Sequence, residues 1–194
     1  MMKFSHIVIV FITFFASAGM AVSQTSSGTQ EYGDGGAYEG EFLNGLPHGN
    51  GTYELPNGYR YVGEWFEGEI NGQGEALFPN GSVYIGSFVK GKPEGSGKIT
   101  FTDGGTYEGE WANGSITGEG YAKYANGTTY QGTFLDAMHD GKGIMKSPDG
   151  YIYDGTWENG VKQGKATVTY PDGSIYTGEA VSYTHLTLPT NDQV

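Results

Sequence analysis

Between residues 38 and 179 apolar and polar positions alternate with a period of two inside a larger period of 23. Tyr38, Tyr61, Tyr84, Tyr107, Tyr130, Tyr153 and Tyr176 stand 23 residues apart without an insertion. Two positions after each comes Gly40, Gly63, Gly86, Gly109, Gly132, Gly155 or Gly178. Two further on stands Phe42, Trp65, Phe88, Trp111, Phe134 or Trp157, and the seventh copy breaks here with Ala180. In an extended strand these three positions point to one side, and polar neighbours such as Glu108 and Glu110 point to the other. A second run in each unit repeats the alternation, as in Gly74, Ala76 and Phe78, or Gly97, Ile99 and Phe101, or Gly120, Ala122 and Tyr124. One apolar and one wet face are the mark of an antiparallel sheet. A fixed period in the range of 20–50 residues marks a repeat array.

The turns fit two strands per unit. Pro79-Asn80-Gly81, Thr102-Asp103-Gly104, Ala125-Asn126-Gly127, Pro148-Asp149-Gly150 and Pro171-Asp172-Gly173 separate the runs. Asn-Gly and Asp-Gly are strong hairpin signals because both residue types tolerate positive φ. The other turn, near Gly91 or Gly114, is expected to be longer and looser. The units therefore add edge to edge as antiparallel hairpins, giving an all-β, single-layer, elongated and twisted sheet of about twelve to fourteen strands at two per unit. A helical reading fails, since Gly interrupts every window long enough for three turns.

Gly at the position between two aromatic rings leaves room for those rings to lie flat on the backbone. Gly40, Gly63, Gly86, Gly109, Gly132, Gly155 and Gly178 are thus structural glycines under a continuous aromatic layer. Burying each ring contributes roughly 1.5–3 kcal/mol, and edge-to-face neighbours add about 0.5–1.5 kcal/mol. One unit could not fold on that alone, so neighbours must share it.

Tyr-x-Gly-x-(Trp/Phe)-x-x-Gly followed by Gly-x-Gly, at a period of 23, resembles the MORN repeat (membrane occupation and recognition nexus). Gly49/Gly51, Gly72/Gly74, Gly95/Gly97, Gly118/Gly120 and Gly141/Gly143 supply the Gly-x-Gly. Departures fall in the fifth and sixth units: Ala137 and Ala166 replace glycines, and Ser147 stands where other units carry Leu or an aromatic. Glu31–Gly36 mirrors Thr100–Gly105, so a half-unit is expected to cap the start.

The ends differ from the array. Residues 1–23 join Met1-Met2-Lys3, an apolar core Ile7–Phe15 and small residues at Ala16-Ser17-Ala18 and Ala21-Val22-Ser23. This is read as a secretory signal peptide cleaved after Ser23 or Ala18, which predicts export; the alternative is a signal anchor. Residues 24–30 (QTSSGTQ) are expected to be a polar tether, and residues 31–179 a half-unit, six full units and the start of a seventh. Residues 180–194 carry neither Gly nor repeat logic. They read as the translation of a sequencing-adapter end, with the native chain expected to continue past Glu179; a divergent cap strand is the alternative.

Composition narrows the chemistry. Removal of residues 1–23 leaves 9 basic against 22 acidic side chains, a net charge of −13. Such a surface repels phosphate backbones and anionic headgroups, so no nucleic-acid partner is expected and anionic membranes are disfavoured. With no Cys there is no disulfide framework, zinc finger or thiol nucleophile. Gly95-Ser96-Gly97-Lys98-Ile99-Thr100 lacks the leading Gly and the Ser or Thr after Lys of a phosphate loop. His48 and His139, four units apart, lie on the order of 40 Å from each other, cannot share a metal and read as lone surface histidines. Glu41, Glu64 and Glu110 share a column repeating about every 10 Å, beyond the ~5–9.5 Å of glycosidase carboxylate pairs. No catalytic residue, metal site or cofactor is assigned. The Asn-Gly-Ser/Thr sequons at Asn50, Asn80, Asn113 and Asn126 follow from Asn-Gly turns meeting Ser or Thr.

The expected function is a non-catalytic, exported scaffold binding a protein or an extended surface polymer. Its contact residues would be the aromatic column Tyr61, Trp65, Tyr84, Phe88, Tyr107, Trp111, Tyr130, Phe134, Tyr153 and Trp157; the competing reading makes the same rings the core. Two other classes stay open. The resemblance implies that such arrays precede lipid-kinase or protein-methyltransferase domains in some family members, so an enzyme truncated here is one. Lipid or membrane contact is the other.

Overall fold

The computed structural model describes residues 24–180. They form one open sheet of fourteen antiparallel strands in chain order. The strands are β1 (Thr25–Glu31), β2 (Ala37–Leu43), β3 (Leu46–Glu54), β4 (Arg60–Phe66), β5 (Glu69–Leu77), β6 (Val83–Val89) and β7 (Lys92–Thr100). They continue as β8 (Thr106–Ala112), β9 (Ser115–Lys123), β10 (Thr129–Leu135), β11 (Met138–Lys146), β12 (Ile152–Glu158), β13 (Val161–Thr169) and β14 (Ile175–Ala180). The phosphate-loop look-alike at residues 95–100 is simply part of β7.

The glycines align across the sheet. Gly28, Gly40, Gly51, Gly63, Gly74, Gly86 and Gly97 pair in turn, each with the next strand's. The row goes on through Gly109, Gly120, Gly132, Gly143, Gly155, Ala166 and Gly178. Every strand except β13, which places Ala166 there, thus gives one side-chain-free position to a line running perpendicular to the strands.

The two turn types are the reverse of the expectation. Leu43 pairs with Leu46 across only Asn44 and Gly45, both at positive φ (51° and 83°). That is the tight hairpin turn with two left-handed residues, and Glu67-Gly68, Lys90-Gly91, Asn113-Gly114 and Asn159-Gly160 repeat it. The Pro-Asn-Gly segments form the longer loop. Phe78 N–H donates to Ser82 O, Gly81 N–H to Phe78 O, and Asn80 Oδ1 accepts Ser82 N–H at 3.0 Å. Only the Gly there has positive φ, so Asn and Asp serve as side-chain acceptors of the turn.

Each of the six hairpins closed by the tight turn carries a bulge. Gly40 faces Gly51 and Phe42 faces Pro47, so residues 48–50 oppose Glu41 alone. Gly49, at φ 65°, turns the chain there. Glu41 Oε1 accepts Asn50 N–H at 3.2 Å, and Glu64 Oε2 accepts Gln73 N–H at 2.8 Å. In the fifth and sixth hairpins the Thr133 and Thr156 hydroxyls donate to the Asp140 and Gln163 carbonyls instead. In the acidic column seen in the sequence, Glu41 and Glu64 therefore satisfy backbone groups.

Residues 25–30 correct the expectation of a tether. They belong to β1, paired with β2 from Thr25↔Leu43 to Glu31↔Ala37. An edge strand needs partners for one row of backbone groups, and β2 supplies them without any apolar side chain on β1. The polar TSSGTQE strand caps the array, a role expected of terminal repeats. The signal peptide expected over residues 1–23 and residues 181–194 of the tail lie outside the described residues.

Candidate binding face

The core is a single zigzag of rings lying on the glycine row. Tyr107 covers Gly109 and Gly120, and a Cβ on Gly120 would lie 2.4 Å from Tyr107 Cε2. Its hydroxyl donates to Glu110 O at 3.0 Å, and Tyr38, Tyr61, Tyr84, Tyr130 and Tyr153 make the equivalent bond at 2.7–3.0 Å. Edge-to-face contacts join the rings within and between units: Tyr84–Phe88 at 5.0 Å, Tyr84–Trp111 at 4.9 Å, Tyr107–Trp111 at 5.7 Å and Tyr107–Phe134 at 5.0 Å. The same links run from Phe42 to Tyr153. Trp65, Trp111 and Trp157 each donate their indole N–H to a glycine carbonyl of the preceding unit.

This packing corrects the expected contact residues. Tyr61, Trp65, Tyr84, Phe88, Tyr107, Trp111, Tyr130, Phe134, Tyr153 and Trp157 are 0–7% exposed. They are the core, and their faces are already taken by neighbouring rings and glycine backbone. Burial drives the Tyr84, Tyr107 and Tyr130 phenols up to about 12, with Tyr61 raised further, so they stay neutral donors.

What a partner can reach is a second line of rings beside the core, along the longer loops. Tyr32, Tyr53, Tyr59, Phe78, Tyr151 and Tyr170 are partly buried against it. Phe101 and Tyr124 are exposed at 38% and 39%. Tyr32, Phe78, Phe101, Tyr124 and Tyr170 share one place in the 23-residue unit, and Tyr59 and Tyr151 share another. Their period was visible in the sequence. Their exposure was not, since an alternating strand ending looks the same whether or not a neighbour covers it.

Two polar side chains enter the aromatic face in the last units. Pro47, Ile70, Pro93, Ile116, His139 and Lys162 hold one column opposite the Phe/Trp position. His139 stacks on Tyr130 at 3.7 Å, lies 4.8 Å from Trp157 and has Tyr124 Oη 2.6 Å from Nε2. Burial lowers its imidazole to about 4. The sequence reading of His139 as a lone surface histidine is thereby corrected. Lys162 places its ammonium 4.6 Å from the Tyr151 ring centre, 4.7 Å from Tyr153 and 5.6 Å from Trp157.

The opposite face is open and mostly polar. A shallow 620 Å³ depression there is lined by Gln73, Ser96, Lys98, Glu108, Glu110 and Glu119, among others. Salt bridges among the described residues are Arg60–Glu54 and Lys98–Glu108, both exposed. Among the described residues no three His, Cys, Asp or Glu side chains stand close enough to hold a metal ion.

No curated protein matches the chain. Solved structures similar to it include the TCP domain of SAS-4 (dCPAP) of Drosophila melanogaster in complex with a proline-rich motif of Ana2 (dSTIL). That match has 10% identity, covers 88% of this chain and 97% of that one, and has a TM-score of 0.48. The wild-type TCP10 domain of Danio rerio CPAP, in complex with a STIL peptide, matches at 14% identity over 80% and 100%, with a TM-score of 0.17. Likenesses this distant say nothing about what this chain binds. The family model described as "MORN repeat" matches residues 38–58, 61–83, 84–106, 107–129, 130–150 and 153–175. With those six copies spanning most of its length, the chain belongs to the MORN repeat family.

Proposed function

We propose that this MORN array is a non-catalytic, exported scaffold whose aromatic face binds an extended protein or surface polymer in step with its own repeat. The observation that carries this reading is the line of accessible rings, Phe78, Phe101 and Tyr124 at its middle, set on a face whose core rings are fully committed. Units repeat about every 10 Å, so an extended partner meets the same contact several times and gains avidity from weak individual ones. Tyr and other aromatics dominate binding hot spots because they offer large rigid area. The sheet beneath is held by bonds and rings that link every unit to the next, so the contacts are presented in fixed register.

The test compares the protein with a Phe78→Ser, Phe101→Ser, Tyr124→Ser triple variant, immobilised and exposed to fractionated envelope proteins and polysaccharides. The expected result is a retained species that the triple variant, still folded by circular dichroism, holds at least tenfold less tightly. A ligand retained equally by both forms overturns this line of rings as the contact surface. Export is tested separately, by the mass of the mature protein, which should begin at Gly19 or Gln24.

A further inference from the structure

Strand β1 is one edge of the sheet, and among the described residues nothing pairs with the side of it that faces away from β2. By the 23-residue phase it corresponds to the long strand of a hairpin, with Gly28 and Gln30 where β3 has Gly51 and Tyr53. We propose that this edge accepts one extended strand of a partner protein, antiparallel to β1. That strand carries an aromatic residue two positions before a glycine, with a lysine or arginine directly before the aromatic. This goes beyond the extended-partner reading and does not depend on it, since backbone pairing at the edge needs none of the outer rings.

Comparison between units reveals the seat for the aromatic ring. A Cβ on Gly51, Gly74, Gly97, Gly120 or Gly143 would run into the ring of Tyr38, Tyr61, Tyr84, Tyr107 or Tyr130, which comes from the preceding short strand. At Gly28 the nearest atom is Phe42 Cε2 at 3.7 Å, an ordinary contact. The rings repeat the difference. Phe88 meets Tyr61 and Tyr84, each at 5.0 Å, and Phe134 meets Tyr107 and Tyr130 at the same distance. Among the described aromatic residues Phe42 meets Tyr38 alone, at 5.1 Å, and it is only partly buried where Phe88 and Phe134 are buried. A ring laid over Gly28 would complete both contacts. A polar cap strand needs no glycine there: Gly28 has no positive φ and no neighbour that excludes a Cβ. Glycine within a strand costs conformational entropy, and its use is the close approach of another backbone or ring.

Glu31 sets the charge of the incoming strand. In an antiparallel pair through Gly28 the residue before the aromatic lies opposite Glu31, as Ala37 lies opposite Glu54 in β2 and β3. Glu54, the same position one unit on, is bridged by Arg60 of β4 at 2.8 Å. Glu31 faces Ala37 on the β2 side, and it takes part in neither salt bridge of the described residues. From residue 24 to 59 the chain has five acidic side chains and no Lys or Arg, so this end draws a cationic side chain. A second copy does not supply it, since β14 carries Ile175 before Tyr176 and Glu179 after Gly178. The chain's own preceding residues do not carry the pattern either: Phe14, Phe15 and Ser17 stand 23 positions before Ala37, Tyr38 and Gly40.

The test titrates the 15N-labelled protein with a peptide of residues 128–135 in which Lys replaces Thr129 (TKYQGTFL). Amide signals of Ser26–Gln30 and Phe42 should shift saturably, with those of β6 to β12 unmoved. Tyr130→Ala in the peptide should weaken binding about tenfold or more, the loss of one buried ring. Glu in place of its Lys should weaken binding about threefold, and Glu31→Gln in the protein should abolish that preference. Gly28→Val should leave the melting temperature unchanged and remove the shifts, because the valine fills the seat without meeting other atoms. Gly51→Val, which drives a side chain into Tyr38, should melt far lower. The proposal is overturned by the absence of a saturable shift, or by shifts centred on β14 or on Phe78, Phe101 and Tyr124. Equal binding of the Tyr130→Ala peptide or of the Glu peptide overturns it too, as does a Gly28→Val protein that melts as low as Gly51→Val.

Discussion

At single residues the array is governed by what the centre line of the sheet has no room for. A Cβ on Gly109 would lie 2.5 Å from Tyr107 Oη and 2.6 Å from both Glu119 O and Gly120 Cα. At Gly40 the corresponding contacts are 2.5–2.6 Å. The steric insult is the same at both, so Gly109→Val and Gly40→Val differ only in how many neighbours they disturb. Each should cost more than about 3 kcal/mol locally, with the lower melting temperature for Gly109→Val. Equal losses would mean that the units do not share their stability. Ala137 offers the converse case. It holds φ 61° where other tight turns have Gly, so Ala137→Gly should raise stability by about 1 kcal/mol in thermal melts. His139 adds a pH dependence. Its folded imidazole titrates near 4, below the usual 6.5 of the unfolded chain, so the unfolded state binds the proton first. Its contribution is complete above pH 6.5 and is lost as pH falls from 6.5 towards 4. With the ring partly exposed, the loss should be about 1–2 kcal/mol. His139→Ile, the residue found in that column in the second and fourth units, should flatten the melting temperature over that window.

For elements, the unit is a bulged hairpin whose long strand serves two masters. Its bulge Gly lets a side chain of its own short strand reach the backbone, while its row Gly receives the Tyr ring of that strand. The tight turn then reaches back: Gly68, Gly91, Gly114 and Gly160 donate N–H groups to carbonyls of Pro47, Ile70, Pro93 and His139, one unit earlier. Because every inter-unit contact has the same register, a whole unit can be removed without changing any of them. Excision of residues 107–129 brings Tyr84 against Phe134 in place of Trp111, and the shortened protein should keep a cooperative melt and a β-type circular dichroism spectrum. Excision of 22 residues should not, since a one-residue slip turns every following ring to the wrong face. Similar melts for the two deletions would refute register as the organising constraint.

Over the whole molecule, charge is uneven. Of the nine basic residues after residue 23, eight lie after residue 89, while the charged side chains of the first units are almost all acidic. Anionic bilayers would meet repulsion along most of the array, so the protein should remain in the supernatant with phosphatidylserine-containing vesicles at moderate salt. Cosedimentation that weakens as salt rises would make lipid contact the leading function. The sheet is open, with β1 at one edge, and its polar strand shows that a sheet edge can be completed by backbone pairing with little apolar burial.

The sequence by itself determined the period, the strands and their direction, the Tyr-on-Gly packing and hence the family. Each of these depends only on side-chain alternation and on where a Cβ fits. It also marked Ala137 and Ala166 as irregular, one an αL position and the other a member of the glycine row. Tertiary structure decided the rest. Which Asn-Gly forms the tight turn depends on whether one or two residues take positive φ, and the dipeptide allows both. Strand β1 exists because β2 offers it an unpaired edge, which no property of TSSGTQE reveals. The ten column rings became core because edge-to-face neighbours one unit away cover both faces, leaving Phe101, Tyr124 and their partners as accessible surface. His139 and Lys162 joined the aromatic face because the bulge sets them opposite Phe134 and Trp157. The common physical reason is that alternation fixes the side of the strand on which a residue points, while only the neighbouring strands determine what stands there to meet it.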